Sequence, residues 1–446
     1  MRLCPWLSLL LVLPLSCASA QSKPASAAAS SAIAPSDDPD AAESAATKVP
    51  LDEIRRYVGV FNVVRQAYVD PVTDKKLMQS AIKGLLLDLD PHSAYLEKSD
   101  AQAFSEETSG AYAGIGVEVQ QQPDGTIKIV SPIDDTPAAR AGIKSGDIIT
   151  AVDGKPLSAS DDDTQGPLRG VPGSKVRLTL ERKGVAKPFD VTLQRETIRI
   201  ASVRGRMLEP HYGYIRVAAF QADTAADFER SLEQLQTQAG GKLQGLVLDL
   251  RSNPGGLLTS AVQIADDLLD SGKIVSTHGR VPLSDTQFSA TPGDRMHGAP
   301  IVALVDAGSA SAAEVLAGAL TDNHRARIVG SRTFGKGSVQ TLLPLDNGDS
   351  IKLTTARYYT PSGKSIQARG IKPDVVLHPA KDAVNGGHVD YAEALLPGHL
   401  RGEDEGTGVG EAGSNAGDVL DGDAPIAAAL VELKKQVGVA TSKPRG

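Results

Sequence analysis

The first stretch of the chain with a clear apolar pattern predicts two helices. Between residues 51 and 89, large apolar side chains recur every three or four positions, the spacing of one helical face. The members of the two faces are Ile54, Tyr57, Val58, Phe61 and Val64, and then Leu77, Ile82, Leu85 and Leu86. Asp70-Pro71 should separate the helices, because proline cannot continue one. We interpret this part as a helical pair that packs against a neighbour or a second subunit.

Short β-rich runs punctuated by turn residues extend from about Thr108 to Arg199. The predicted strands are 116–119, 125–130, 147–154 and 176–180, with a helical segment at 136–142. Roughly 90 residues are enough for a small domain of its own. Within it, the acidic run Asp161-Asp162-Asp163 is more typical of a solvated loop than of a metal site. No metal and no other cofactor is therefore expected.

Strand and helix alternate between about Gly213 and Ile328. The buried strand 245–250 precedes the turn Asn253-Pro254-Gly255-Gly256 and a helix over 258–269. In the same manner, the strand 301–305 precedes a helix that begins at Ser311. This repetition predicts an α/β layer fold with crossover connections. Strand ends and helix starts gather at one edge of such a sheet, so the Gly255-Gly256 turn and Ser311 are expected to be neighbours.

The first twenty residues have the features of a secretory signal peptide. Met1-Arg2 is followed by an apolar run and by Ala18-Ser19-Ala20 before the expected cleavage site. This predicts export, to the periplasm or another exported location. Both cysteines, Cys4 and Cys17, lie here, so the mature chain would have no disulfide and no thiol mechanism. The surroundings of Cys17 also partly resemble a lipoprotein site, which leaves open a membrane attachment through a lipid on Cys17.

Composition narrows the classes of protein and of binding partner that remain possible. The 446 residues suffice for two or three domains, and the formal net charge is -8 with no basic block, which argues against nucleic acid as a partner. Residues 21–49 are mainly Ala, Ser, Pro and Asp, a composition typical of a disordered linker. After about Pro379 the chain is rich in Gly, Asp and Glu. It closes with the amphipathic stretch 425–433, for which we predict a peripheral helix without a function.

Two residues carry candidate chemistry. Ser311 opens an apolar helical run, and 25 positions later Lys336 lies in the small-residue turn Phe334-Gly335-Lys336-Gly337. A serine hydroxyl needs a base to remove its proton, and an amine can serve once burial among apolar groups lowers its pKa. The helix start adds unsatisfied backbone N–H groups, of which Ala312 N–H is the first candidate for binding an oxyanion.

Simpler interpretations exist for the same residues. Ser311-x-x-Glu314 also fits a capping box, in which the serine only closes the helix, and a lysine beside a glycine turn is usually solvated. Gly330 to Lys336 fits the phosphate-binding G-x-x-x-x-G-K pattern, but Gly337 replaces the required Ser or Thr. The following residues 340–345 indicate a strand rather than a helix, so nucleotide binding is not expected.

In combination, these motifs resemble the C-terminal processing peptidases of peptidase family S41, which are serine endopeptidases with a PDZ domain. The resemblance covers roughly residues 51–379. It is carried by Asp90-Pro91-His92-Ser93-Ala94-Tyr95-Leu96, Gly114-Ile115-Gly116-Val117, Ala141-Gly142-Ile143-Lys144-Ser145-Gly146-Asp147, Asp249-Leu250-Arg251-Ser252-Asn253-Pro254-Gly255-Gly256, Gly308-Ser309-Ala310-Ser311-Ala312-Ala313-Glu314, Gly335-Lys336-Gly337-Ser338-Val339-Gln340 and Tyr359-Thr360-Pro361-Ser362-Gly363-Lys364-Ser365-Ile366-Gln367.

The resemblance implies a crotonase-like (ClpP/crotonase) α/β protease core with an inserted PDZ domain. It implies Ser311 as the nucleophile, Lys336 as the general base and Gln340 as the residue that orients the lysine. The oxyanion donors would be the N–H groups of Ala312 and of one glycine, Gly255 or Gly256, with the choice left open. Residues 336 and 340 are neighbours in a helical turn but far apart on a strand, so the role of Gln340 predicts a helical turn.

For the PDZ domain, the resemblance implies capture of a substrate C-terminus. The loop Tyr112-Ala113-Gly114-Ile115-Gly116 would hold the carboxylate on its N–H groups, and the peptide would add as a strand from Val117 onward. Ile115 suggests a preference for apolar C-terminal residues. Arg169 is a candidate for coupling this domain to the active site, or an ordinary surface arginine.

The predicted division of the chain follows. It comprises a signal peptide (1–20), a disordered linker (21–49), a helical region (50–107), the PDZ domain (108–199), the catalytic core (200–379) and a C-terminal extension (380–446). The expected activity is hydrolysis of peptide bonds through a Ser-Lys dyad and an acyl-enzyme, on proteins or peptides with free C-termini. An adaptor protein and a homo-oligomer are left open. The alternative is a catalytically silent PDZ scaffold that binds protein C-termini.

Overall fold

The computed structural model describes residues 50–158, 166–379, 391–403 and 417–442. The predicted signal peptide, the alternative lipid site at Cys17, the linker and the acidic run Asp161-Asp163 lie outside the described residues. Within the described part, no helix has the length and apolar character that crossing a bilayer requires.

The secondary structure alternates between helices and strands along most of the chain. The helices are α1 (Leu51–Ala67), α2 (Asp74–Leu87), α3 (Lys98–Ser109), α4 (Pro137–Arg140), α5 (Thr224–Gln238), α6 (Leu258–Leu268), α7 (Ala312–Asp322) and α8 (Ala424–Ser442). The strands are β1 (Ala94–Leu96), β2 (Ala111–Gly114), β3 (Val117–Gln121), β4 (Ile127–Pro132), β5 (Ile148–Val152), β6 (Lys155–Pro156), β7 (Lys175–Glu181), β8 (Phe189–Gln194), β9 (Glu196–Arg199), β10 (Val203–Glu209), β11 (Tyr212–Val217), β12 (Gly245–Asp249), β13 (Lys273–Gly279), β14 (Thr286–Ser289), β15 (Ile301–Val305), β16 (Ala326–Gly330), β17 (Ser338–Pro344), β18 (Ser350–Tyr359) and β19 (Val375–Val376).

The chain divides into two compact units between Leu77 and Met78. In the first unit, α1 ends at Ala67 and Asp70-Pro71 lies in the bend before α2, where the sequence predicted a break. The rings of Tyr57 and Phe61, one helical turn apart, have centroids separated by 6.4 Å. Their spacing is that of neighbours on one helical face.

Within the second unit, residues 111–199 form a β-rich domain. Its antiparallel sheet has the order β3-β4-β5-β7-β8, with β6 beside β5, and β2 pairs separately with β9. Inward-facing residues of these strands form a core that includes Ile127, Ile129, Ile149, Leu178 and Leu180. In this order β3 is an edge strand, so one side of its backbone is open to a further strand.

The largest core lies around the six-stranded sheet β10-β11-β12-β15-β16-β19, which is parallel from β11 onward. Every residue of β12 and β15 is buried, as expected for parallel strands covered on both faces. Helices α5, α6 and α7 contribute to the main apolar cluster of this region. The predicted α/β layers with crossovers are thus confirmed, and the fold combines α and β structure throughout.

The prediction of a peripheral C-terminal helix is wrong. Ile426, Ala429 and Leu433 of α8 are buried in a second cluster with Val247 of β12 and Val302 of β15. A parallel sheet needs apolar cover on each face, and α8 provides cover that the local sequence pattern did not reveal.

The segments before α8 also pack into the core. We call residues 391–403 and 417–423 the C-terminal arm. Arg251 Nη1 donates hydrogen bonds to the carbonyl oxygens of Leu420 (3.0 Å) and Gly422 (3.1 Å). Leu420 N–H donates to Asp306 Oδ2 at 3.1 Å. The arm is therefore fixed to the loops that follow β12 and β15.

Ala368 offers a test of backbone strain in this core. Its φ is 56°, in the left-handed region that costs an alanine more than a glycine. We expect Ala368→Gly to raise the free energy of unfolding by up to about 1 kcal/mol, measured by urea unfolding. Ala103→Gly, at an exposed position within α3, should lower it by a similar amount. A lower stability for Ala368→Gly would contradict the assigned strain.

Candidate active site

Ser311 lies at the N-terminal end of α7, after the loop that follows β15. Its φ of 54° and ψ of −116° form a backbone conformation that residues with side chains rarely adopt. The residue is 7% exposed. Its side chain is a hydrogen-bond partner of the Tyr358 hydroxyl, whose pKa burial raises to about 12. A strained serine at a strand–turn–helix junction is an arrangement that presents a nucleophile.

The loops after β12 and β15 meet beside this serine, as the sequence predicted. Ala310 N–H donates to the Asn253 carbonyl at 2.9 Å, and the Ser309 hydroxyl donates to the Leu250 carbonyl at 2.8 Å. A Cβ placed on Gly255 would lie 2.8 Å from Ser311 Cβ. The Gly255-Gly256 turn is thus in direct contact with Ser311, and a side chain at position 255 would not fit.

A single buried carboxyl group joins the Ser311 and Lys336 segments. Glu314 Oε2 accepts hydrogen bonds from Ser311 N–H at 2.8 Å and from Lys336 N–H at 2.9 Å. Its Oε1 accepts from Gly335 N–H at 2.7 Å and from the Thr333 hydroxyl. Burial raises the pKa of Glu314 to about 7, while these four donors act in the opposite direction. The capping contact predicted for Glu314 therefore also connects the helix to the loop that follows β16.

Lys336 occupies an environment that favours its neutral form. Burial is the largest cause that lowers the pKa of this amine, and the ammonium group of Lys352 acts in the same direction. The carboxyl groups of Glu393, Glu314 and Asp90 raise it but do not outweigh burial. Among the described residues, Lys336 Nζ has no hydrogen bond and no ion pair. A lysine so placed can act as a base.

The helical turn predicted for residues 336–340 is wrong. Strand β17 begins at Ser338, and Gln340 lies on it beside an irregularity in the pairing with β18. Gln340 Nε2 donates to Ser338 Oγ at 2.9 Å and to Thr354 Oγ1 at 3.2 Å. Pairing with β18 determines the backbone here, so the local Gly-rich sequence does not decide it. The strand after Lys336 agrees with the rejection of a phosphate-binding loop.

The two candidate oxyanion glycines differ in their hydrogen bonds. Gly255 N–H already donates to Asn253 Oδ1 at 2.9 Å. Within the described part of the chain, the N–H groups of Gly256 and Ala312 have no acceptor. The structure therefore favours Gly256 over Gly255 as the glycine with an N–H group available to a ligand.

The predicted carboxylate-binding residues lie at one edge of the β-rich domain. Tyr112, Ala113 and Gly114 belong to β2, and Val117 begins β3. A Cβ on Gly116, whose φ is 78°, would lie 2.3 Å from Thr136 Cβ, so only glycine fits there.

The backbone between β2 and β3 leaves amide groups available. In the described residues, the N–H groups of Ile115 and Gly116 have no acceptor. The Ile115 side chain is 1% exposed within the domain core, so its predicted influence on peptide preference stays a prediction. Arg169 forms an ion pair with Glu106 of α3, and its guanidinium lies 5.4 Å from the centroid of the Tyr112 ring.

Sequence reasoning missed several residues around Lys336. Glu314 was interpreted only as a helix cap. Gln367 and His92 lie within recognisable motifs, but the sequence alone indicates no role for either. Glu393 lies in a stretch without a recognisable pattern, and only its contacts in the folded chain identify it.

Comparison with known proteins identifies the family of the chain. A model described as "Peptidase family S41" matches residues 211–377, a PDZ domain model matches 113–193, and a model of the "Activating protease CtpB N-terminal domain" matches 18–100. A carboxy-terminal-processing protease of Bartonella bacilliformis is 43% identical over 356 residues, covering 79% of this chain and 82% of the relative. The carboxy-terminal processing protease CtpA of Bacillus subtilis is 36% identical, covering 71% and 67%.

Among solved structures, a photosystem II D1 C-terminal processing protease matches with a TM-score of 0.42 at 31% identity, covering 74% of this chain and 94% of that one. The identity and coverage of the curated relatives define the class: the chain belongs to peptidase family S41 and is a serine-type peptidase that carries a PDZ domain. Within that family, the relatives named above are carboxy-terminal processing proteases.

Glu314→Gln tests the bridge between the two segments. The new amide N–H₂ would replace one acceptor oxygen and face N–H donors, so both loops should lose their alignment. We expect proteolysis of casein to fall at least about tenfold. The free energy of unfolding should fall by about 1–3 kcal/mol.

A matched control is Glu233→Gln, whose side chain is 66% exposed. It should change stability by no more than about 0.5 kcal/mol and leave proteolysis intact. Full activity of Glu314→Gln would show that the bridge has no influence on the site.

Proposed function

We propose that the protein is an endopeptidase that binds C-termini of substrate proteins through its PDZ domain and cleaves peptide bonds with a Ser311–Lys336 dyad. The observation that carries this proposal is the shared contact of the two residues: both backbone N–H groups donate to the same oxygen of Glu314. A strained serine is thus held next to the segment of a partly buried lysine, whose amine has no hydrogen bond or ion pair among the described residues.

The chemistry follows from the protonation states. Neutral Lys336 accepts the proton of the Ser311 hydroxyl as Ser311 Oγ attacks the substrate carbonyl. The resulting ammonium then protonates the leaving amine, and an acyl-enzyme remains. A water molecule, deprotonated by the same lysine, hydrolyses the ester and restores the enzyme. The Ser311 hydroxyl must turn from Tyr358 toward Lys336 for the first step.

The oxyanion of each tetrahedral intermediate needs hydrogen-bond donors that do not already donate to another group of the protein. Ala312 N–H and Gly256 N–H meet this condition, and the N-terminal end of α7 adds the positive end of its dipole. We propose these two groups as the oxyanion hole, in a core of the crotonase-like type. Gln340 would orient Lys336 from β17, after release from Ser338 and Thr354.

Substrate capture is assigned to the edge of the PDZ domain. The available N–H groups of Ile115 and Gly116 would bind the terminal carboxylate, with Tyr112, Ala113 and Gly114 shaping the loop. The peptide would extend β3 at its open edge, from Val117 onward. The signal-like N-terminus further supports a periplasmic or otherwise exported enzyme, with lipidation of Cys17 as the membrane-attached alternative.

Substitution of the dyad provides the direct test. Ser311→Ala and Lys336→Ala should each reduce cleavage of casein by at least about 10³-fold, because each removes the nucleophile or its base. Lys336→Arg should be equally inactive, since a guanidinium stays protonated. In the wild type, the rate should rise with pH through the lowered pKa of Lys336, where the neutral amine forms.

All three variants should bind a C-terminal peptide with an unchanged Kd, which isolates the chemical step. Continued cleavage by these variants would refute the dyad. A wild-type protein that binds C-terminal peptides but cleaves no unfolded protein would instead be the scaffold of the alternative interpretation.

Peptide capture is tested by removing the carboxylate. A peptide with an amidated C-terminus should bind at least about tenfold more weakly than its free-acid form, because the N–H groups at residues 115 and 116 lose their anionic acceptor. Fluorescence anisotropy measures both constants. As a control, the same sequence is extended by further residues that end in a blocked terminus. Equal affinities for the free-acid, amidated and extended peptides would contradict C-terminal recognition.

A further inference from the structure

The C-terminal arm places a buried carboxyl group next to the Lys336 loop. Glu393 is fully buried, and its N–H donates to the Phe334 carbonyl at 2.9 Å. Two residues earlier, the Tyr391 ring packs on the Phe334 ring with centroids 4.9 Å apart. The arm therefore contacts the loop directly, two positions before Lys336.

Gln367 transmits the position of this carboxyl group to the residue after the lysine. Gln367 Nε2 donates to Glu393 Oε1 and to the Leu400 carbonyl, both at 2.9 Å. These bonds orient the amide so that its oxygen accepts from Gly337 N–H at 2.9 Å. A Cβ on Gly337 would lie 2.2 Å from Gln367 N, so the two segments are in close contact.

The other partner of Glu393 comes from the turn that precedes α3. His92 Nε2 lies 2.8 Å from Glu393 Oε2 and 3.0 Å from Oε1. The turn itself is held by Asp90, which accepts from the N–H groups of His92 and Ser93 and from the Thr354 hydroxyl. A residue 301 positions earlier in the chain thus fixes the orientation of the Glu393 carboxyl group.

Lys336 is consequently held from both sides by different carboxyl groups. Glu314 binds the N–H groups of Gly335 and Lys336, and Glu393 fixes Gly337 through Gln367. The Gly-rich loop would otherwise allow many backbone conformations. Fixing the peptide groups before and after a residue determines the direction in which its side chain leaves the backbone.

We propose that Glu393, oriented by His92 and acting through Gln367, is a positioning residue that directs the Lys336 amine toward Ser311. This inference rests on the proposed dyad and adds Glu393 of the C-terminal arm to the residues that position it. It assigns a function to Glu393 and His92, which lie outside the segment matched by the S41 model. Loss of the Glu393 contact should therefore lower kcat and leave substrate binding in the PDZ domain unchanged.

The charges that face Lys336 give this proposal a second readout. They are Lys352 of β18, Glu314 of α7, Asp90 before β1 and Glu393 of the arm, which itself contacts His92. The Glu393 carboxylate raises the pKa of Lys336, so its removal should lower that pKa further. The pH midpoint of the reaction would then move to lower pH.

The experiment compares full-length Glu393→Gln with wild type, using casein for kcat and KM and a fluorophosphonate for the labelling rate of Ser311. We expect kcat and the labelling rate to fall about tenfold, with KM within about twofold. The pH midpoint of labelling should shift downward. Glu403→Gln is the matched control and should behave as wild type, since this exposed carboxyl group of the same arm accepts a hydrogen bond from the Tyr359 hydroxyl and none from the Lys336 loop.

A second pair of variants covers the case in which Glu393→Gln fails to fold. His92→Ala should lower kcat in the same way, whereas His92→Gln retains an N–H donor and should recover to within about threefold of wild type. Unchanged kcat in Glu393→Gln would overturn the proposal. So would a lower unfolding temperature without a midpoint shift, or equal activities of the two His92 variants. If Ser311→Ala retains the activity of the wild type, the proposed dyad itself is wrong.

Discussion

The arrangement of the active site depends on one buried carboxyl group. Glu314 would be costly to bury without partners, and burial raises its pKa to about 7 even with its hydrogen-bond donors in place. Four donors offset that cost, and they come from the start of α7 and from residues 333–336. The carboxyl group is satisfied only when both segments are in place. The same contact that makes burial tolerable therefore brings Ser311 and Lys336 together.

Backbone strain at Ser311 is maintained by the same surroundings. The positive φ of Ser311 costs about 1–3 kcal/mol. This conformation persists because several neighbouring groups hold the turn in place. Glu314 binds the Ser311 N–H, Asn253 binds the residue before it, and Gly255 leaves no room for the loop to relax. The closing of this turn leaves Ala312 N–H without an acceptor in the described part of the chain. Strain at the proposed nucleophile and an N–H group available to a ligand are thus two results of one packing arrangement.

Much of this could be predicted from the sequence, and the failures share a physical cause. Apolar periodicity located the parallel strands and the helix at Ser311, and the order of β-strand, turn and helix predicted that Ser311 and the Gly255-Gly256 turn are neighbours.

The errors concern contacts between distant parts of the chain. Gln340 follows a Gly-rich turn, but pairing with β18 makes it a strand residue. The helix α8 has an ordinary amphipathic pattern, and only the uncovered sheet face explains its burial. Glu393 lacks any local signal because its partners are His92, Gln367 and the loop at Phe334.

The low pKa of Lys336 places a constraint on the acidic groups around it. A carboxylate in direct contact with the amine would stabilise the ammonium form and remove the proposed base. The two nearby glutamates avoid this result because their oxygens are occupied by other donors. Glu314 accepts from backbone N–H groups and a hydroxyl, and Glu393 accepts from His92 and Gln367. These groups can therefore hold the loop that carries Lys336 without forming an ion pair with it. Burial then remains the dominant influence on the amine, as its lowered pKa requires.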